Sequence, residues 1–187
     1  MKAQHSDSLI FVWRVAEFEA RNLNDSSIEP NHLLIGLCKV VDLDLPEIVS
    51  KDSPNRNEIL EELLREVRRL KTVFRTVGLD AKLFRRRLRR ASGDHRFSLT
   101  ESERLRRSAS AKRVFAEAEH IAHLGGGTVY PLHLLYASLL GKNEHRDATL
   151  AALSVEKNQL LKTAEQEVLM PQARSTSASK KARMTWN

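Results

Sequence analysis

Ile28-Glu29-Pro30-Asn31-His32-Leu33-Leu34 returns 101 residues later as Val129-Tyr130-Pro131-Leu132-His133-Leu134-Leu135. In each copy a proline stands where a first helical residue should be. Its φ is preset for a helix, and its missing N–H is not needed in a first turn. The His-Leu-Leu that follows reads as the start of a short buried helix. Upstream, Ser6-x-Ser8 recurs as Ser108-x-Ser110, and Val12, Ala16 and Ala20 recur as Val114, Ala118 and Ala122, all displaced by 102. The turn between the two blocks is therefore one residue shorter in the second copy. Downstream, Val77-Gly78-Leu79-Asp80 is echoed by Leu153-Ser154-Val155-Glu156. An ordered series of this kind marks an internal duplication. Neither unit can bury its apolar face alone, so two helical units packed about a pseudo-twofold axis should share one core.

The rest of the pattern is helical. Ser6 or Ser8 can cap a helix to about Leu23. Leu60, Leu63, Leu64, Val67, Leu70, Phe74 and Val77 recur at three- and four-residue steps, which predicts a long amphipathic helix from about Glu58 to Val77. Gly78 ends it, and Asp80 can cap the next, to about Arg90. Thr100 with Glu103 has capping-box spacing, which predicts a helix from there to about Leu124, stopped by Gly125-Gly126-Gly127. Pro131 opens another to Leu140, and two more fit Asp147 to Leu153 and Val155 to Leu169. No stretch reads as a strand. Glycine (7), proline (5) and aromatics (5%) are scarce, against the turn-rich all-β classes, while 41% hydrophobic residues suffice for a core. The expected class is all-α.

The Ala-spaced helix, polar turn and x-x-His-Leu-Leu-x-Gly/Ala-Leu resemble the Clp N-terminal (Clp R) repeat domain of Clp/Hsp100 unfoldases, over about residues 6 to 169. The resemblance implies two similar four-helix repeats, about 6–91 and 100–169, in one domain spanning 6–170. It implies a module that recruits substrates and adaptor proteins, with a Clp-type ATPase as an expected partner. An insertion, roughly Asp42 to Leu70, lengthens the third helix of the first repeat. No G-x-x-x-x-G-K-[ST] occurs; Gly141-Lys142 is followed by Asn143 and lacks the upstream glycine. The expectation is thus a double repeat standing without the ATPase motor. Some members of the family read phosphoarginine through an acidic residue before the His and an arginine near the first cap. Those positions are Asn31 and Leu132, and Ser8 and Ser110, here. The candidate protein-binding residues carried over are Ser6, Ser8, Asn31, His32, Ser108, Ser110, Leu132 and His133.

Catalytic and cofactor chemistry finds little footing. His32 and His133, at equivalent positions, read as structural histidines bonded to a turn. His120 and His123 lie three apart after Glu119 and lack the third ligand of a zinc site. Cys38, the one cysteine, reads as a small buried hydrophobe and excludes an internal disulfide. The three glycines follow a helix rather than a strand, as a helix stop does and a nucleotide loop does not. No nucleophile-elbow pattern occurs. The expectation is a binding protein with no cofactor and no metal.

The formal charge of +7 is uneven, because Arg65 to Arg113 alone carries +12. The alternative function is therefore a basic helical nucleic-acid binder, with Arg85, Arg86, Arg89, Arg90, Arg106 and Arg107 as the polyanion-binding candidates. On the helix, Leu83, Phe84 and Leu88 should turn inward and the arginines fan outward. That suits weak, sequence-insensitive attraction and not base reading. A third reading has the long inserted helix pairing with a second copy of itself. The Ser/Ala/Lys/Arg stretch within 171–187 reads as a disordered basic tail. Five apolar residues, Leu9 to Trp13, are too few for a signal peptide, and no run reaches membrane-span length, so a cytoplasmic location is expected.

Overall fold

A computed structural model describes residues 3–51, 55–92, 105–125 and 127–169. Within them the fold is all-α: α1 (Asp7–Asn22), α2 (Pro30–Asp42), α3 (Leu45–Ile48), α4 (Arg56–Thr76) and α5 (Ala81–Ser92), then α6 (Ala109–Leu124), α7 (Pro131–Leu140), α8 (Glu144–Ala151) and α9 (Lys157–Leu169). The two halves are equivalent as α1/α6, α2/α7, α4/α8 and α5/α9. The single turn α3 has no counterpart.

The duplication is visible in its smallest details. Ser6 and Ser108 are the N-caps of α1 and α6, and their Oγ atoms accept from the N–H of Leu9 (3.1 Å) and Ala111 (3.0 Å). Gly78 and Ser154 both adopt left-handed backbone, φ 69° and 56°, in the turns before α5 and α9. The Leu79 and Val155 N–H groups close those turns on the carbonyls of Phe74 (2.8 Å) and Leu150 (3.0 Å). Ser154 therefore holds a conformation that glycine adopts more easily.

Four two-residue strands join the halves, a feature absent from the sequence reading. β1 (Gln4–His5) pairs in parallel with β4 (Thr128–Val129), and β2 (Ser27–Ile28) with β3 (Arg106–Arg107). Each repeat thus lends the segment before its first helix to the segment before the other repeat's second helix. The Ser6 N–H donates to the Val129 carbonyl and the Ser108 N–H to the Ile28 carbonyl, both at 3.1 Å. Such short pairings carry no hydrophobic alternation, so periodicity cannot reveal them.

Two helix boundaries need correction. Thr100 and Glu103 lie outside the described residues, and α6 begins at Ala109, after Arg106 and Arg107 have been spent on a strand. The helix expected from Asp147 starts at Glu144, because the Asn143 side chain caps it through the Arg146 N–H at 3.0 Å. The tail at 171–187 also lies outside the described residues. The core is continuous across both halves, with Leu33, Leu34, Leu134 and Leu135 all buried. α1 and α2 approach closely at Gly36, where a Cβ would stand 2.9 Å from the Val12 carbonyl oxygen and 3.4 Å from the Ala16 Cβ. Among the described residues no helix is long and apolar enough to cross a membrane.

Candidate protein-binding cleft at the repeat junction

The two histidines at equivalent repeat positions have the same local job. The Nδ1 of His32 accepts from the Glu29 N–H, and that of His133 from the Tyr130 N–H, both at 2.9 Å. Each ring thereby closes a capping box at the start of its buried helix. His133 is held neutral, its pKa pushed down to about 4 by burial and by Arg69. His32 is also lowered by burial, against the opposing pull of Asp25, whose carboxylate lies 2.8 Å from Nε2.

The helix starts come together in crossed pairs. The N-terminus of α6 meets that of α2, and the N-terminus of α1 meets that of α7. At the first junction there is a cleft of about 500 Å³, whose walls include Asn31, His32, Ser92, Ser110, Lys142 and His145. Asn31 is fixed within it, donating to the Ser92 Oγ (3.1 Å) and accepting from the Asn143 Nδ2 (2.8 Å). Ser110 accepts from Arg113 at 3.0 Å. Lys142 stands among Asp25, Glu29 and Glu144 in these walls, so the mouth carries more negative than positive side chains, and the N-terminal dipole of α6 is its other positive element.

The second junction is filled. The Ser8 N–H and Oγ both donate to the Glu62 Oε1, at 3.0 and 2.9 Å, and the Ser6 and Ser8 hydroxyls lie 2.9 Å apart. Leu132 is buried, and α4 lies over α7 and α1. Glu66 is buried beside Arg65 and Arg69, and burial raises its pKa against those two cations. Asp7 is raised by burial and by Glu62.

Of the residues singled out from sequence, the structure therefore brings Asn31, His32 and Ser110 into one open cleft. Ser6 and Ser108 serve as caps, Ser8 is engaged by Glu62, and Leu132 and His133 face the packed interior. Lys142, Asn143 and His145 escaped the sequence reading. The signal for them was Asn143, a good cap residue just ahead of a helical run.

The basic helix α5 is less free than its composition suggests. Arg89 bonds the fully buried carboxylate of Glu19, which Lys39 also holds at 3.0 Å. Burial alone would raise the Glu19 pKa, but Arg89 and Lys39 outweigh it and the group is lowered. Arg85 lies 3.6 Å from Asp42, and Arg87 donates to the Ala152 carbonyl at 2.7 Å. Arg86 and Arg90 are exposed. Leu83 does not turn inward as expected: it is 40% exposed, because Ala81, Phe84 and Leu88 define the buried face. Arg106 and Arg107 lie on β3, and Arg107 sits 4.8 Å over the Phe115 ring and 5.7 Å from that of Trp13. His120 and His123 are exposed, and no group of three or more His, Cys, Asp or Glu fit to hold a metal occurs among the described residues. Burial pushes the Cys38 thiol up to about 12, which makes it a poor nucleophile.

The fold is shared with known structures. The N-terminal domain of Hsp104 from Candida albicans aligns at 16% identity and TM-score 0.60, over 86% of this chain and 89% of that one. The chain has the Clp N-domain fold. The N-terminal domain of the caseinolytic-protease-associated chaperone ClpD from Arabidopsis thaliana aligns at 19% identity and TM-score 0.57, over 88% and 97%. A domain solved in preliminary structural investigations of a malarial protein secretion system aligns at 15% and 0.62, over 90% and 99%. No family model matches the sequence, and no curated protein matches it. The duplicated Pro-x-His-Leu-Leu starts are thus carried on this fold at an identity too low to transfer function.

Proposed function

We propose that residues 6–170 form a protein-binding module, an adaptor or substrate-recruiting factor that works with a Clp-type unfoldase. The observation that carries this reading is the cleft between α2 and α6, built from both repeats of a Clp N-domain fold. Its size suits a few residues of a partner chain rather than a whole domain. Its polar walls, Asn31, Ser110, Lys142 and Asn143 with the carboxylates of Asp25, Glu29 and Glu144, suit backbone and polar groups of a partner chain. The module acts by binding and not by chemistry: His32 and His133 are used as helix-start acceptors, and Cys38 is buried.

The test is affinity capture with the full chain, quantified by mass spectrometry after nuclease treatment. Ser110→Trp, which fills the cleft from an accessible helix start, should lose the same proteins that the parent chain enriches, a Clp-type ATPase or its clients among them. Capture that survives Ser110→Trp unchanged, or that disappears with nuclease, sinks the reading.

Nucleic-acid binding through the basic region is the second reading. Arg86 and Arg90 on α5, and Arg68, Lys71 and Arg75 on α4, are its exposed cations. Arg85, Arg87 and Arg89 are committed to protein partners, so the affinity should be weak and steeply salt-dependent.

A further inference from the structure

The open and the filled junctions are related by the internal symmetry, and what differs between them is the length of one helix. α4 has 21 residues and its equivalent α8 has 8. The matching left-handed turns at Gly78 and Ser154 align the two at their C-terminal ends. In that alignment the start of α8, Glu144, stands opposite Arg68. Glu62 and Glu66 then lie in a stretch of α4 that has no counterpart in the second repeat. On the α6 side the short helix stops at the rim, and Lys142, Asn143 and Glu144 line a cleft. On the α1 side the longer helix runs on across the mouth.

We infer that the extension of α4 is a built-in occupant of the second junction, with the Glu62 carboxylate seated on the α1 N-terminus where a partner's anionic group would otherwise bind. The contact is more than proximity. One carboxylate oxygen takes both the main-chain N–H and the hydroxyl of Ser8, and Ser8 is buried. An N-terminal amide has no acceptor within its own helix, so a carboxylate there meets an unfilled donor and a favourable dipole. Among the described residues its equivalent, Ser110, has no carboxylate bonded to it, and its hydroxyl accepts from Arg113. The extension is anchored further along, where Arg69 bonds the Glu167 carbonyl on α9, so the occupant is held by both repeats. The consequence is valency. Among the described residues one of the two symmetry-related junctions is an open cleft and the other is filled, so a partner needing both is excluded. This rests on reading the α2/α6 cleft as a binding site.

Acetate serves as the probe, because it is the side-chain carboxylate without the chain. The Ser8 amide of the full-length protein is followed by ¹⁵N–¹H NMR during an acetate titration. In the parent chain the Ser8 amide should not move. In Glu62→Ala it should move saturably to a shifted position, as acetate takes the vacated place. Glu62→Gln keeps the shape and one acceptor oxygen if Glu62→Ala fails to fold; its neutral amide should let acetate in, at higher concentration. Saturable movement in the parent chain overturns the inference. So does a folded Glu62→Ala whose Ser8 amide ignores acetate, or a Glu62→Gln that behaves as the parent does. Failure of the Ser110→Trp capture test would remove the cleft reading yet leave these Ser8 outcomes unaltered, so the two are separable.

Discussion

The first repeat encloses an ion cluster where the second places uncharged side chains nearer the surface. Glu19 on α1 is fully enclosed between Lys39 and Arg89, while its equivalent on α6 is the half-buried Ile121 and that of Lys39 is the exposed Leu140. The same contrast holds at the helix starts, where α1 meets the Glu62 carboxylate and α6 meets a cleft. One backbone plan therefore tolerates two different solutions at each equivalent point. The difference teaches that the shared scaffold lies in the caps, turns and exchanged strands. Polar occupants of the first repeat are additions to it, each requiring partners on other elements.

The largest effect should come from breaking the buried ion cluster. Glu19→Ala leaves Arg89 and Lys39 without their carboxylate and should cost about 3–5 kcal/mol in urea unfolding. Replacing the whole cluster by hydrocarbon, Glu19→Ile with Lys39→Leu and Arg89→Leu, should recover most of that loss. A single mutant as stable as the parent would mean that the cluster contributes nothing and the comparison fails.

A pH effect sharpens the contrast between the two histidines. His133 has no carboxylate of its own, and its folded pKa of about 4 lies below the ordinary histidine value of about 6.5. The unfolded chain therefore binds the extra proton first. Stability is full above pH ~6.5 and is lost as pH falls through the folded value, in total about 3 kcal/mol. His133→Gln should flatten the denaturation midpoint over that window. His32, which has Asp25 beside it, should give the smaller slope of the two. Equal slopes in His32→Gln and His133→Gln would remove the electrostatic distinction.

The smallest effect concerns the closeness of the helix pairs. Gly36 corresponds to Ala137 in the second repeat. Gly36→Ala must push the α1 backbone away from a 2.9 Å contact and should destabilise by about 1–3 kcal/mol, despite the better helix propensity of alanine. Ala137→Gly should cost only about 1 kcal/mol, the propensity loss in a helix interior. A stabilised Gly36→Ala would show that α1 and α2 can part as easily as α6 and α7.

Much of this was legible residue by residue. Pro30 and Pro131 announced helix starts, Ser6 or Ser8 the first cap, Gly78 a stop, and the repeat of Ala16 and Ala118 the packing faces, whereas the Ser108 cap was missed for a start at Thr100. Half of the cleft was legible too, because Asn31, His32 and Ser110 sit inside the duplicated motif. Lys142 and His145 were hidden, since they belong to a turn whose cap residue was passed over. Glu62 was hidden for another reason. On its own helix it is one acidic residue among several, and nothing local distinguishes it from a solvated side chain.

The sequence by itself determined the all-α class, the duplication and the helix starts, because caps, prolines and apolar spacing act over three to seven residues and leave their mark in the order of the chain. The tertiary structure decided which helix starts face one another, which arginines of α5 are spent on Glu19 and Asp42, and which of two symmetric junctions stays open. Those outcomes depend on contacts between residues such as Ser8 and Glu62, 54 positions apart, and on strands paired across 79 and 124 positions. No local propensity encodes the meeting of such distant groups; it follows from how the two repeats pack.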